Sequence, residues 1–191
     1  PTKEHEVRLT GLAADTAYFY GVGTTADTLA SGNDYIFRTA PNGPRPIRIW
    51  AIGDAGTGNA KQAAVRDMFL IYNGNKTIDA TGHPLDLWLM LGDNAYPSGT
   101  DANYQKAVFD MYPTLLRRSV VWPTFGNHDD KASGSAAQTG PYYAMFTLPK
   151  NGEAGGVASG TEAYYSFDYG NAHFICLNSS DIDRSTNGAM M

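Results

Sequence analysis

The chain has 191 residues, 42% hydrophobic and 17% charged, with a formal net charge of −5. This balance suits a globular chain of one large or two modest domains and leaves no basic footprint for nucleic acid or an anionic membrane. No run of about 18 apolar residues reads as a membrane span, and any targeting peptide lies outside this sequence, which opens on Pro1.

Residues 1–40 read as the C-terminal strands of an all-β module. "HEVRLTGL" sets Val7, Leu9 and Leu12 against polar neighbours, and "AYFYGVG" and "DYIFRTA" are aromatic and β-branched runs broken by Gly, Asn and Asp. Three strands are too few to close a sandwich, so the chain reads as beginning inside that module. "APNGPRP" then gathers three prolines and a glycine in seven residues, which places a linker at 41–46.

From 47 to 191 the texture alternates. "IRIWAIGD" predicts a short strand. "NAKQAAVRDMFLIYN" predicts a helix with Ala64, Met68 and Ile71 on its inner stripe and Lys61, Arg66 and Asp67 off it. "LDLWLMLGD" is a strand apolar on both faces, "ANYQKAVFDMYPTLLRRS" is helical until Pro113, and "VVWPTFGNHDD" is a strand followed by a loop. "AYYSFDYGNAHFICLNS" predicts a hairpin turning at Gly170-Asn171, and "KASGSAAQTG" and "NGEAGGVASG" read as long loops. Strands alternating with helices imply an α/β domain with a largely parallel sheet. The single cysteine, Cys176, excludes an internal disulfide framework and a cysteine-rich metal site, and reads as a small buried hydrophobe.

Three of these strands end alike: "WAIGDAG" on Asp54, "LMLGDNAY" on Asp93 with Tyr96 close behind, and "PTFGNHD" on Asn127 and His128. In open α/β sheets the carboxyl ends of strands form the ligand crevice, so side chains at three such ends can converge. One Gly-Asp pair is ordinary turn chemistry, but three polar strand ends in order are hard to explain as turns. Two carboxylates, an amide oxygen and a phenol suit hard metals such as Fe(III), Mn(II) or Mg(II). A phenol ligates well only when a nearby cation lowers its pKa of about 10, which points to a trivalent ion.

The set G-D-x-G (Gly53 to Gly56), G-D-x-x-Y (Gly92 to Tyr96) and G-N-H-D (Gly126 to Asp129) resembles the first three motifs of the purple acid phosphatases, a branch of the calcineurin-like metallophosphoesterases. Gly56 stands where most of that superfamily has histidine, and Tyr96 is the added ligand of the branch. The spacing of Leu12, Thr16, Tyr18, Tyr20 and Val22 resembles the corner-tyrosine region of fibronectin type III domains, with Ala14 where many have proline. The implied fold is a partial all-β sandwich, fibronectin type III-like, followed by the N-terminal part of an α/β metallophosphoesterase sandwich.

The resemblance runs from about residue 5 to 190. It implies that Asp54 and Tyr96 bind a ferric ion, Asp93 bridges two metals, Asn127 binds a divalent ion (Zn, Mn or Fe), and His128 faces the phosphate. Asp129 would orient that imidazole. A dinuclear centre, a phosphate-ester substrate, and an extracellular or periplasmic location are implied with it.

In the family, two further motifs, V-x-x-H and G-H-x-H, supply three histidine ligands; this chain has four histidines and neither motif. His5 and His83 read as solvent-exposed and His173 as a core or edge histidine, so the chain is expected to be a fragment truncated at both ends, with weak metal affinity and little turnover alone. Three rival readings stand beside this one. A nucleotide-binding loop at "GDAGTGNAK" fails, because Asn59-Ala60 stands where Lys-Ser/Thr is required. A phosphodiesterase of the same superfamily shares every motif. An extracellular binding protein with a decayed phosphatase half shares the β module. The aromatics of "YPSGTDANY" and "GPYYAMF" suit a substrate pocket or core packing equally.

Overall fold

The computed structural model describes residues 5–73 and 85–190, so His83 lies outside the described residues. In the first forty residues β1 (Ala17–Phe19) pairs antiparallel with β4 (Ile36–Arg38), and β2 (Val22–Gly23) with β3 (Thr28–Ala30). Residues 5–12, expected as a strand, form none and are exposed throughout. Among the described residues they join no ladder: Val7 and Leu9 face Val22 and Gly23 of β2 only across an open cleft, and alternation of apolar side chains makes no strand without backbone partners. The Tyr18 hydroxyl accepts a hydrogen bond from the Ala13 backbone N–H at 2.9 Å, which returns the phenol to the chain five residues upstream.

The 40–46 stretch is not a loose tether. Arg45 bonds Asp15 at 3.0 Å, the buried Asp86, and Tyr169 Oη at 3.3 Å, while the Arg48 N–H donates to the other Asp86 oxygen at 2.7 Å. The Asp15 carboxyl is held below its usual range, first by the hydrogen bond from Arg38 and also by the Arg45 charge, against an opposing effect of burial. Tyr20 crosses to donate to the Arg117 carbonyl at 2.9 Å.

Beyond residue 46, β5 (Ile49–Ile52), β6 (Leu87–Met90) and β7 (Val121–Pro123) form a parallel sheet in the order β5-β6-β7. The central strand is β6, and its Leu87, Trp88 and Met90 are buried, which is why it is apolar on both faces. Successive residues point to opposite faces of a strand. One face carries Trp50 and Trp88, register partners whose rings lie 5.3 Å apart. It packs under α1 (Ala60–Tyr72), where Phe69 stacks on Trp50 at 4.1 Å. The other face carries Leu89 and Trp122, and Trp122 lies flat on Phe167 at 3.7 Å. Phe167 belongs to the hairpin of β8 (Tyr165–Tyr169) and β9 (Ala172–Cys176), whose two-residue turn is Gly170-Asn171, with Gly170 at φ +64°.

Helix α1 presents the opposite face from the one its apolar pattern predicts. Ala64, Val65, Met68 and Ile71 are exposed, while Gln62, Ala63, Arg66, Phe69 and Leu70 face inward. The polar members of that inner face are satisfied: Gln62 Nε2 donates to the Ala107 carbonyl at 2.8 Å and Tyr112 Oη at 3.0 Å, and Arg66 to the Met111 carbonyl at 2.7 Å. A buried amide with all its partners costs little, so two polar residues displace an apolar stripe from the core.

Helix α2 (Asp101–Tyr104) continues as a π-helical turn over Gln105–Phe109, which supplies the Ala107 carbonyl, and Met111 lies between that turn and α3 (Pro113–Leu116). Pro113 sits at the start of α3, where its missing N–H is harmless. A last short helix, α4 (Pro141–Met145), follows the first long loop. Of the aromatics in these segments, Tyr104 and Tyr142 are buried in the core, and Tyr142 donates to the Pro123 carbonyl at 3.0 Å. Among the described residues no helix is long and apolar enough to cross a membrane.

Candidate metal centre

Three adjacent parallel strands deliver their carboxyl ends to one edge, and the loops that leave them stay in register. Leu91 N–H donates to the Ile52 carbonyl at 2.8 Å, Asp54 N–H to Gly92 at 3.1 Å, and Thr124 N–H to Met90 at 2.6 Å. Asp54 and Asp93 both take the left-handed conformation, each at φ +53°. For a side chain other than glycine this costs on the order of 1 kcal/mol, and it turns both carboxylates off their strands toward the same point.

Tyr96 ties them together. Its Oη lies 3.0 Å from Asp54 Oδ1 and 2.8 Å from Asp93 Oδ2, so one phenolic proton sits between two carboxylates. Burial, followed by the hydrogen bonds to Asp93 and Asp54, pushes the phenol well above its ordinary range. Asn127 lines a cleft of about 240 Å³ together with Asp54, Asp93, Ser179 and Ser180. His128 follows it: its backbone N–H donates to Asp93 Oδ1 at 2.9 Å, its ring lies 4.3 Å from the Tyr96 ring, and its Nε2 is 4.0 Å from Asp93 Oδ2. The five sequence-predicted residues Asp54, Asp93, Tyr96, Asn127 and His128 therefore meet at one edge of the sheet.

The imidazole is oriented by other groups than the one expected. His128 Nδ1 lies 2.6 Å from the Pro97 carbonyl, and Lys131 Nζ donates to the same carbonyl at 3.1 Å. Asp129 turns away and is fully buried. Its Oδ2 accepts from Asn94 N–H at 3.2 Å, Asn94 Nδ2 at 3.1 Å and Gly126 N–H at 3.0 Å, while Oδ1 accepts from Tyr104 Oη at 2.6 Å. This carboxylate latches the Asp93 loop to the Asn127 loop. Burial raises its pKa, opposed first by the Tyr104 hydrogen bond. The sequence shows only an acidic residue beside a histidine; that its partners lie on Asn94, Gly126 and Tyr104 requires the fold.

Asp129→Ala is expected to destabilise the chain by about 2–3 kcal/mol, because four donors lose their acceptor in the interior. Asp129→Asn should cost less than half as much. Its amide oxygen can keep the three N–H donors, and its NH₂ can donate to Tyr104, whose hydroxyl rotates to accept. Urea denaturation of both variants measures the difference.

The donor set fits a hard metal ion. Among the described residues no three His, Cys, Asp or Glu side chains gather as a metal group, so a site here depends on the Tyr96 phenol and the Asn127 amide as well. The Tyr96 proton occupies the place where a cation would balance two carboxylates. His173, the edge histidine, plays no part: it is bound to Asp168 at 2.6 Å on the hairpin, and His5 is exposed. Cys176 is a half-buried free thiol 3.4 Å from Thr124 Oγ1, and burial raises its pKa.

A scan against protein-family models finds no match. The chain is 30% identical over 199 residues to the Arabidopsis thaliana protein named Purple acid phosphatase 15, with 91% of this chain and 34% of the relative covered. It is 29% identical over 213 residues to Purple acid phosphatase 13 of the same plant, covering 92% of this chain and 36% of that one. An uncharacterized Mycobacterium tuberculosis protein is 24% identical over 193 residues, covering 93% and 34%. The chain spans about a third of the length of the curated relatives it matches.

Proposed function

We propose that this relative of the purple acid phosphatases carries part of a phosphate-ester hydrolase, acting on phosphomonoesters through a dinuclear centre of Fe(III) and a divalent ion (Zn, Mn or Fe). The observation that carries it is the convergence of Asp54 Oδ1, Asp93 Oδ2 and Tyr96 Oη within 3.0 Å, at a cleft that Asn127 also lines. Asp54 and Tyr96 would hold the ferric ion, Asp93 would bridge, and Asn127 would hold the divalent ion. When bound, the two ions supply positive charge for the phosphate dianion and an activated water for in-line attack.

The protein's own part is placement and proton handling. Asp54 and Asp93 are preset by their backbone, so little reorganisation accompanies binding. His128 is pinned twice, by its N–H on Asp93 and its Nδ1 on the Pro97 carbonyl. That nitrogen is shared between the Pro97 carbonyl and Lys131 Nζ at 2.9 Å, while Nε2, on the Asp93 side, would pass a proton to the departing alcohol. With oxygen donors and, among the described residues, no ligating histidine, the chain by itself is expected to bind metals weakly.

Residues 1–40 are read as the last strands of a fibronectin type III-like module, 41–46 as the linker, and 47–191 as the N-terminal part of the catalytic domain. An extracellular or periplasmic location goes with that reading.

The test is the complete gene product loaded with ferric and zinc ions. It should hydrolyse an aryl phosphate and absorb visible light through tyrosinate-to-iron charge transfer. Tyr96→Phe should lose the band and keep its far-UV circular dichroism. A band that survives in Tyr96→Phe, or hydrolysis indifferent to iron, would sink the assignment.

A further inference from the structure

The cleft that holds Asp54, Asp93 and Asn127 has a wall that none of the three motifs contributes: the turn after β9, Asn178 to Asp181. The turn is held rigidly. The fully buried Asn178 donates from Nδ2 to Ser135 Oγ at 2.7 Å and Asp181 Oδ1 at 2.8 Å. Its Oδ1 accepts from the N–H groups of Ser180 at 2.9 Å and Asp181 at 3.4 Å, and Ser135 N–H donates to Asp181 Oδ2 at 3.1 Å. The Ser180 hydroxyl opposes the rise that burial causes in the Asp130 pKa, so it faces that carboxyl.

Ser179 alone in this turn keeps both of its donors open. It is exposed on the cleft, and among the described residues neither its N–H nor its Oγ is hydrogen-bonded. The turn is closed by Asn178 without it, so the hydroxyl has no structural task there. Of the other polar side chains that line the cleft, Asp54, Asp93 and Asn127 offer acceptor oxygens for cations, Thr124 Oγ1 lies 3.4 Å from Cys176 Sγ, and carboxylates repel phosphoryl oxygens. A phosphate seated there needs a hydrogen-bond donor on a fixed support, and Ser179 meets that need.

We propose that Ser179 is a substrate-binding residue of this cleft, its Oγ–H donating to a phosphoryl oxygen of a phosphate monoester. The inference rests on the hydrolase reading and adds to it a recognition element outside the three motifs. Its partner is an ionised phosphoryl group, so inorganic phosphate is the simplest probe.

The experiment measures competitive inhibition of aryl-phosphate hydrolysis by orthophosphate in the complete, metal-loaded gene product and two variants. Ser179→Ala should raise the inhibition constant about tenfold, as expected for a lost hydrogen bond to a charged group. Its thermal midpoint and visible band should stay at wild-type values, because Ser179 supports no other residue. Ser180→Ala, which removes the neighbouring hydroxyl, should change inhibition less than twofold. An inhibition constant within twofold of wild type in Ser179→Ala overturns the proposal, and so does an equal loss in both variants, which would assign the effect to the turn. Absence of hydrolysis or of phosphate inhibition in the wild type would sink the hydrolase reading itself, and this inference with it.

Discussion

Asp93→Asn is expected to lower phosphate-ester hydrolysis by the metal-loaded gene product at least about a thousandfold while leaving the fold in place. Asparagine has the same shape and is among the few residues that adopt the left-handed conformation held at φ +53°. Its oxygen can still accept the His128 N–H, and its NH₂ can donate to Tyr96 Oη, so both contacts of Asp93 survive in altered polarity. What disappears is one negative charge and one carboxylate oxygen, both of which the proposed bridging role requires. Alanine would be the wrong variant, because it adds backbone strain to the loss of charge. Steady-state kinetics, metal content and thermal melting, measured together, make the check. Activity within tenfold of wild type, with metal retained, would remove Asp93 from the centre.

Gly56→Ala is expected to destabilise the chain by about 4 kcal/mol or more and to displace the Asp93–Tyr96 loop. A Cβ at position 56 would lie 2.3 Å from the carbonyl carbon and oxygen of Asn94 and 2.4 Å from the Ala95 nitrogen. These are backbone atoms and cannot swing aside. The crowding is also structural pairing: Gly56 N–H donates to the Asp93 carbonyl at 3.2 Å, and Gly56 accepts from Tyr96 N–H at 2.7 Å. The absence of a histidine at 56 and the presence of Tyr96 are therefore one arrangement, since the loop that brings the phenol in occupies the space a side chain at 56 would need. Denaturant unfolding of Gly56→Ala tests this; a loss under 1 kcal/mol would mean that the loop yields easily.

The strand ends were legible because their signal is local. Gly53-Asp54, Gly92-Asp93 and Gly126-Asn127 each interrupt an apolar run, and parallel neighbours bring such interruptions to one edge. The hairpin at Gly170-Asn171 was legible for the same reason, a turn pair between two alternating runs. The reading failed where a partner decided. Val7 and Leu9 alternate as a strand would, but among the described residues they pair with no strand. Periodicity in α1 favoured Ala64, Met68 and Ile71, but the carbonyls of Ala107 and Met111 and the Tyr112 hydroxyl made Gln62 and Arg66 the inward residues. Asp129 follows His128 in sequence yet bonds Asn94, Gly126 and Tyr104.

By itself the sequence determined the parallel-sheet half, the hairpin, and that Asp54, Asp93, Tyr96, Asn127 and His128 stand at the strand ends, because strand periodicity and glycine-marked ends are written within a few consecutive residues. Only the tertiary structure decided which face of α1 is buried, where Asp129 points, and that Ser179 shares the cleft. Those depend on acceptors, donors and walls supplied by segments tens of residues away, and no local pattern encodes a partner at that distance.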